Sequence, residues 1–153
     1  MDFYGIFEAR YWQVTHRRDS RYPGYLMVSA REGKSELHEL SPASLQELGA
    51  VLADAERLLR SAYAPQKVVF YKLGFSPGFA IHFHVAPVTV ELLDEIRAHP
   101  DYADHPDGND AILFLSRIYC ERELDREESV RMAQEIERLR HLAEETRGAA
   151  EDV

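Results

Sequence analysis

Several features of secreted and membrane proteins are missing from this sequence of 153 residues. Cys120 is the only cysteine, so no disulfide can form within the chain, and its apolar neighbours Ile118 and Tyr119 predict a buried, unreactive thiol in a reducing compartment. The amino terminus lacks a basic segment followed by an apolar stretch, and no window approaches the roughly 20 apolar residues of a membrane span. We therefore expect a soluble, cytoplasmic protein.

Positive charge is also scarce. The formal net charge is -9, and the acidic excess is concentrated in the C-terminal third of the chain. This balance argues against a broad contact with the backbone of polymeric nucleic acid or with an anionic membrane. We expect neither as a partner.

Repeats, low-complexity tracts and interdomain linkers are absent too. At 45% hydrophobic residues, a chain of this length can bury roughly 70% of the surface that it exposes when unfolded, without help from a metal or a disulfide. We predict a single domain over residues 1–153.

The spacing of apolar residues predicts both strands and helices. Alternating patterns predict strands over 11–16, 25–30, 67–73 and 79–88, and residues 1–9 suit a short strand or an arm. Three- and four-residue spacings predict a long helix from Ser41-Pro42 to Ala64-Pro65. They predict shorter helices over 90–96, 110 to Glu121 and 126–145. We expect a loop over 98–109 and a frayed end over 148–153. The predicted class is α+β, an antiparallel sheet with a long helix packed on it and additional C-terminal helices.

The last of these strands has two different faces. Side chains alternate along a strand, so Phe79, Ile81, Phe83 and Val85 share a face that suits a core, and Ala80, His82, His84 and Ala86 share the other. His82 and His84 can therefore both reach one group that rests on the sheet.

Three interpretations of the two histidines remain open from the residues alone. They can be polar residues on a solvent-facing strand. They can be two ligands of a metal, although no third ligand is placed nearby and the closest carboxylate, Glu91, follows the end of the strand. They can also be catalytic, one imidazole attacking an electrophile such as phosphorus while the other donates a hydrogen bond to its oxygens or to the leaving group.

A family resemblance favours the catalytic interpretation. The block 81–87 (IHFHVAP) resembles the end of the histidine triad signature, His-x-His-x-His-x-x, the block 23–28 (PGYLMV) resembles the early strand of that family, and 37–42 (LHELSP) resembles the entry to its long helix. The order of strands, helix and histidine strand is also similar. The resemblance covers about residues 10–90, and residues 108–147 form a helical extension outside it.

The resemblance implies a function and an assembly. Histidine triad proteins are commonly homodimers, and their enzymes are hydrolases or transferases that act at the α-phosphate of a nucleoside phosphoanhydride or phosphoramidate through a nucleotidyl-histidine intermediate. The substrate that it implies is a nucleotide or nucleoside polyphosphate. We expect no cofactor, and the residues around the two histidines predict no bound metal.

The same resemblance implies roles for individual residues. His82 falls on the attacking histidine, and His84 on the histidine that hydrogen-bonds the phosphoryl oxygens. The loop 74–78, which includes Gly74 and has Ser76 as its only side-chain hydroxyl, lies where the family holds phosphate. Lys72 is placed to hold a phosphate as well. Asp19 or His16 is expected to contact a ribose.

Two positions depart from the family pattern. Ala80 stands where the first histidine of the triad is expected, and Tyr25 stands where a histidine is common in the early strand. The main-chain carbonyl of Ala80 can still accept a hydrogen bond from Nδ1 of His82 and leave Nε2 free to attack. The alternative to an enzyme is a catalytically degenerate nucleotide-binding or protein-interaction module with the same fold.

Overall fold

A five-stranded antiparallel sheet forms the centre of the structure, a computed structural model that describes residues 1–120 and 122–152. Its strands are β1 Gly5–Glu8, β2 Trp12–His16, β3 Leu26–Ala30, β4 Lys67–Tyr71 and β5 His82–Val88. Their order across the sheet is β1-β2-β3-β5-β4. The histidine strand β5 therefore lies inside the sheet, with β3 and β4 as its neighbours.

Four α-helices accompany the sheet in the described part of the chain. They are α1 Pro42–Tyr63, α2 Val90–Ala98, α3 Gly108–Phe114 and α4 Arg126–Glu151. The predicted ends of α1 are confirmed: the Ser41 side chain accepts a hydrogen bond from the amide of Ser44, Pro42 occupies the first turn, and Ala64 ends the helix in the left-handed conformation. The predicted α+β class is confirmed.

Helices α1 and α4 cover one face of the sheet together. The buried side chains of α4 (Met132, Ile136, Leu139 and Ala143) belong to the same apolar cluster as those of α1 (Val51, Ala55, Leu58 and Leu59) and the strand residues Trp12, Val14, Leu26, Val28 and Val85. The sequence left open whether the C-terminal helices form an interface or cover the sheet. The structure shows that α4 covers it.

The opposite face of the sheet is covered only in part. Thr89 caps α2 directly after β5, so α2 folds back over the end of the strand that it follows. A second apolar cluster results there, from Ala86, Val88, Leu92, Ile96, Ala111, Phe114, Leu115 and three tyrosines, Tyr22, Tyr25 and Tyr71. The beginning of β5, which carries His82 and His84, is left only partly buried.

The strands predicted over 67–73 and 79–88 are two and three residues shorter than expected, while those predicted over 11–16 and 25–30 each begin one residue later. The ladder between β4 and β5 ends at the pair Tyr71 with His84, so the connection spans residues 72–81. Phe79 was expected on the core face but its side chain is 65% exposed. The loop turns through Gly78, whose φ of +92° suits glycine, and leaves Phe79 outside the ladder. Ile81, in contrast, is buried as predicted.

The C-terminal third is more helical than predicted. The chain continues from α3 through a π-helical turn, Leu115–Tyr119, and α4 extends to Glu151 although the chain was expected to fray from Gly148. Glu121, where the preceding helix was expected to end, and Val153 lie outside the described residues. No helix in the described ranges is long and apolar enough to cross a membrane. The single domain over 1–153 stays a prediction.

Candidate active site

The uncovered part of the sheet brings side chains from three strands onto one surface. Residues that are paired directly across neighbouring strands point to the same face. His82 pairs with Ser29 and His84 pairs with Met27, while Ser29 and Met27 pair in turn with Gln13 and Thr15 of β2. The two histidines therefore lie at the edge of a shallow surface formed by β2 and β3.

The ring of His82 is held by the main chain of Ala80. Its Nδ1 lies 3.0 Å from the carbonyl oxygen of Ala80. A carbonyl oxygen only accepts hydrogen bonds, so Nδ1 carries a proton and donates it. The contact expected for a chain that lacks the first triad histidine is therefore present, and Nε2 is the nitrogen available for chemistry.

Gly74 lies against the same ring. A Cβ atom built on Gly74 would be 3.4 Å from Cε1 and 3.9 Å from Nε2 of His82. The absence of a side chain at Gly74 therefore keeps the neighbourhood of Nε2 open. This places the first glycine of the predicted phosphate loop beside the predicted nucleophile.

His82 lies between two cavities. The smaller has a volume of about 210 Å³, and its lining includes Lys72, Gly74, Ser76 and Glu36. The larger has a volume of about 500 Å³ and is lined mainly by residues of β2, β3 and the turn after β2: Gln13, Thr15, Arg17, Arg18, Asp19, Met27 and Ser29. Ala80, Phe79 and His82 line both cavities. A substrate that fills both would pass over the His82 ring.

His84 lies beside His82 on the same face of the sheet and is partly buried. Its ring centroid is 5.2 Å from that of His82, but the lining residues found for the two cavities do not include it. Its Nδ1 is 2.9 Å from the hydroxyl of Tyr25, and its ring stacks on Tyr71 with a centroid distance of 4.8 Å and an interplanar angle of 5°. The orientation of His84 is thus fixed by two tyrosines.

The surroundings of His84 disfavour its charged form. Burial is the main cause, and the positive charge of Arg17 and the proximity of His82 add to it, so that the pKa of His84 falls to about 4. Burial also raises the pKa values of Tyr25 and Tyr71. Near neutral pH, the three groups are therefore an uncharged imidazole and two uncharged phenols.

Asp19 and His16, the two candidates for a ribose contact, differ in their exposure and in their hydrogen bonds. Asp19 lines the larger cavity and forms a 2.6 Å ion pair with Nε of Arg17. His16 is only 1% exposed, and both of its ring nitrogens are used: Nδ1 lies 3.0 Å from the carbonyl oxygen of Arg17, and Nε2 accepts from the amide of Gly24. His16 also lines the larger cavity, but both of its ring nitrogens already have main-chain partners, so of the two alternatives Asp19 is the one with a free acceptor edge toward the cavity and stays the predicted ribose contact.

The lining of the two cavities thus includes Asp19, Lys72, Gly74, Ser76 and His82, and also the alternative ribose contact His16. His84 is not in that lining, and its ring lies 5.2 Å from that of His82. Sequence reasoning missed Arg17 and Tyr71, and it noted Tyr25 only as a departure from the family pattern. The sequence offered no signal for Tyr71, because its place opposite His84 depends on the register of β4 with β5.

Metal ligation finds little support in the side chains. Among residues 1–120 and 122–152, no group of three or more His, Cys, Asp or Glu side chains is arranged to hold a metal ion. His82 and His84 would need a third ligand from elsewhere.

A second large groove lies away from the histidines. It has a volume of about 520 Å³ and lies between α4 and the Arg21–Pro23 turn. Two of its charged residues, Glu135 and Arg138, pair with each other at 2.6 Å. The groove contains no histidine among its described lining residues, and we assign the chemistry to the surface around His82.

Comparison with solved structures finds this fold in histidine triad proteins. A hypothetical histidine triad nucleotide-binding protein from Sulfolobus tokodaii matches with a TM-score of 0.61 at 16% identity, covering 93% of this chain and 84% of that one. A zinc-bound histidine triad family protein from Mycobacterium smegmatis matches with a TM-score of 0.57 at 18% identity, covering 97% and 89%. A Hit-like protein involved in cell-cycle regulation from Bartonella henselae matches with a TM-score of 0.59 at 10% identity, covering 93% and 88%.

No protein-family model matches the sequence, and no curated protein matches it. The likeness to the solved structures is therefore one of fold. It confirms the predicted histidine-triad-like arrangement. It also extends over most of the chain beyond residue 90, which the sequence resemblance did not reach.

Proposed function

We propose that this protein is a nucleotide hydrolase or transferase of the histidine triad type, which acts at the α-phosphate of a nucleoside phosphoanhydride or phosphoramidate. The observation that carries the proposal is the hydrogen bonding and position of His82. Nδ1 of His82 donates to the carbonyl oxygen of Ala80 at an N–O distance of 3.0 Å. The ring of His82 lies between a phosphate-sized cavity and a larger groove.

The proposed reaction has two steps. The lone pair of His82 Nε2 attacks the α-phosphorus, the bond from phosphorus to the leaving group breaks, and the leaving group departs with the electron pair and gains a proton. Water or another acceptor then attacks the phosphorus of the nucleotidyl-histidine, the phosphorus–nitrogen bond breaks, and the acceptor loses its proton. Nε2 of His82 keeps both electrons of the broken phosphorus–nitrogen bond, which regenerates the histidine.

The cavities suggest how the substrate is placed. Lys72, the main chain at Gly74 and the hydroxyl of Ser76 line the smaller cavity and supply positive charge and hydrogen-bond donors for phosphate. The larger groove, with Asp19 at its border, takes the nucleoside. His84 supplies a donor for the developing charge on the phosphoryl oxygens or the leaving group, an interaction worth on the order of 3 kcal/mol where donors are preorganised.

Turnover by matched variants tests the proposal. Adenosine and guanosine polyphosphates and phosphoramidates are incubated with the wild type, with His82→Ala and with His38→Ala, which removes an exposed histidine from a 3₁₀ turn. We expect the wild type and His38→Ala to be equally active and His82→Ala to be inactive. Mass spectrometry of quenched reactions should find a nucleotidyl adduct on His82. Equal turnover by the wild type and His82→Ala would exclude the catalytic role.

A non-enzymatic module with this fold is the second candidate. Phe75 is 99% exposed, and Leu73 and Phe79 of the same loop are also exposed, which gives the edge of the site an apolar surface suited to a protein partner. Nucleotide binding in calorimetry, without turnover across the same substrates, would favour this candidate. Undiminished activity after chelation would agree with the expectation that the protein needs no metal of its own, provided that magnesium bound to the substrate is titrated separately.

We also propose a homodimer, on the family resemblance. The outer edge of β4 is unpaired in the described sheet, and Phe70 on that strand is partly exposed; such edges favour pairing between chains. Sedimentation velocity should give the mass of two chains for the wild type and of one for Phe70→Glu. A monomeric wild type would exclude the dimer. A cytoplasmic location stays a prediction.

A further inference from the structure

The surroundings of His84 form a connected set of hydrogen bonds. Arg17 Nη1 donates to the Tyr25 hydroxyl at 2.9 Å, and the Tyr25 hydroxyl lies 2.9 Å from Nδ1 of His84. The Tyr25 and Tyr71 hydroxyls are bonded to each other, and the Tyr71 ring stacks flat on His84. Three side chains from three parts of the chain thus converge on one imidazole that the larger groove does not contact.

The donors in this set can be assigned by counting protons. The Tyr25 oxygen has one hydrogen to donate and two positions at which to accept. Arg17 can only donate, so it takes one accepting position. In the described part of the chain, no acceptor other than Tyr25 contacts the Tyr71 hydroxyl. If Tyr71 donates to Tyr25, every hydrogen is used, and the Tyr25 hydrogen goes to Nδ1 of His84.

The opposite arrangement leaves a hydrogen without a partner. If Nδ1 of His84 carried a proton and donated it to Tyr25, Tyr25 would have to donate to Tyr71. The Tyr71 hydrogen would then point to no acceptor, although Tyr71 is buried. An unpaired buried donor is costly. Arg17 also polarises the Tyr25 hydroxyl and makes it a better donor.

We infer that Tyr25 is a positioning residue for His84: its hydroxyl donates to Nδ1 and holds the ring proton on Nε2, the nitrogen that is left to donate a hydrogen bond. The inference rests on the proposed function for its catalytic consequence, but the position of the proton can be measured independently.

The two histidines are then fixed in complementary forms. The carbonyl of Ala80 keeps the proton of His82 on Nδ1 and leaves Nε2 unprotonated for attack. At His84, the hydroxyl of Tyr25 donates to Nδ1, so that the ring proton stays on Nε2. Because the pKa of His84 is lowered to about 4, mainly by burial, its ring is neutral near neutral pH and donates through one nitrogen only. The tautomer therefore decides whether His84 can stabilise negative charge.

Nuclear magnetic resonance of ¹⁵N-histidine-labelled full-length protein tests the inference directly. Long-range ¹H–¹⁵N spectra distinguish the two neutral tautomers, and a His84→Gln variant assigns the signals. We expect the Nε2–H form for His84 in the wild type at about pH 6 to 8. In Tyr25→Phe, which keeps the ring and removes the hydroxyl, we expect the Nδ1–H form or a mixture.

Kinetics supply the second readout. Tyr25→Phe should lower kcat about ten- to one-hundredfold while KM changes less than about threefold, because a misplaced donor affects the transition state more than substrate binding. Tyr11→Phe is the matched control. It removes a tyrosine hydroxyl that lines neither cavity and does not contact His84, so the Nε2–H form should persist and kcat should stay within about threefold.

The outcomes separate this inference from the proposed function. An Nδ1–H form of His84 in the wild type, or the same tautomer in the wild type and Tyr25→Phe with both folded, overturns the inference whatever the activity. The positioning role is also overturned if the tautomer of His84 changes as expected in Tyr25→Phe but kcat equals that of the wild type. If no substrate is turned over, the proposed function fails, while a tautomer change in Tyr25→Phe still supports the control of His84 by Tyr25.

Discussion

Nδ1 of His82 donates to the carbonyl oxygen of Ala80 at 3.0 Å. The side chain at position 80 takes no part in this contact. A third histidine is therefore not required to set the tautomer of His82, because the main chain already does so.

Restoring the missing histidine should accordingly have little effect. We expect Ala80→His to change kcat by less than about threefold, because it adds a ring without changing the acceptor of the Nδ1 proton. Ala80→Gln, which has a side chain of similar length but no imidazole, controls for crowding of the two cavities that Ala80 lines. A large gain in turnover for Ala80→His alone would show that the first histidine has a role that the carbonyl does not replace.

Gly74 provides a steric test of the same ring. A methyl group at this position would lie 3.4 Å from Cε1 and 3.9 Å from Nε2 of His82. We expect Gly74→Ala to lower kcat about tenfold through crowding of the attacking nitrogen, with no loss of thermal stability.

Gly49→Ala is the matched control for that substitution. Gly49 lies in α1, and a Cβ there would meet no atom within 4 Å. Activity should be unchanged, and stability should rise by about 0.5–1 kcal/mol because alanine favours the helix. Equal kinetics for the two alanine variants would contradict the placement of Gly74 beside the reacting nitrogen.

Two side chains of opposite charge line the smaller cavity, and we expect their removal to change KM in opposite directions. These side chains are Lys72 and Glu36. If phosphate binds there, Lys72→Gln should raise KM about fivefold and Glu36→Gln should lower it by a similar factor, and both effects should weaken at high salt. Steady-state kinetics at two ionic strengths measure this. A KM that moves in the same direction in both variants would place the phosphate elsewhere.

The buried histidines predict a pH dependence of stability. Burial lowers the pKa of His16 and of His84 from 6.5 to about 4. Between these values the unfolded chain binds protons that the folded chain excludes. The free energy of unfolding should therefore be highest above about pH 6.5 and fall as the pH drops toward 4, with His16 contributing a slope of up to about 1.4 kcal/mol per pH unit.

Urea denaturation over this pH range measures the slope. His16→Gln keeps an acceptor for the Gly24 amide and removes the titrating ring, so its slope should be smaller than that of the wild type. His38→Gln, at an exposed position, should leave the midpoint near neutral pH unchanged. An unchanged slope in His16→Gln would show that His16 does not exclude the proton.

The sequence by itself determined most of the framework. Ser41-Pro42 and Ala64-Pro65 mark the ends of α1 because capping and proline geometry act locally. Alternation along β5 placed His82 and His84 on one face because that period is a property of any strand. Local rules also predicted the contact of His82 with Ala80, since the two residues are neighbours on one strand-like segment.

Only the tertiary structure decided what surrounds those residues. Tyr71 stacks on His84 through the register of β4 with β5, and Arg17 reaches Tyr25 through the turn after β2; neither depends on spacing along the chain. Alternation sets His16 on the same face as the buried Trp12 and Val14, but only the folded chain shows that the main chain uses both nitrogens of its ring. Phe79 lies outside the sheet because the loop at Gly78 ends the ladder early. The sequence therefore identified His82 as the candidate nucleophile, whereas long-range packing determined how His84 is held.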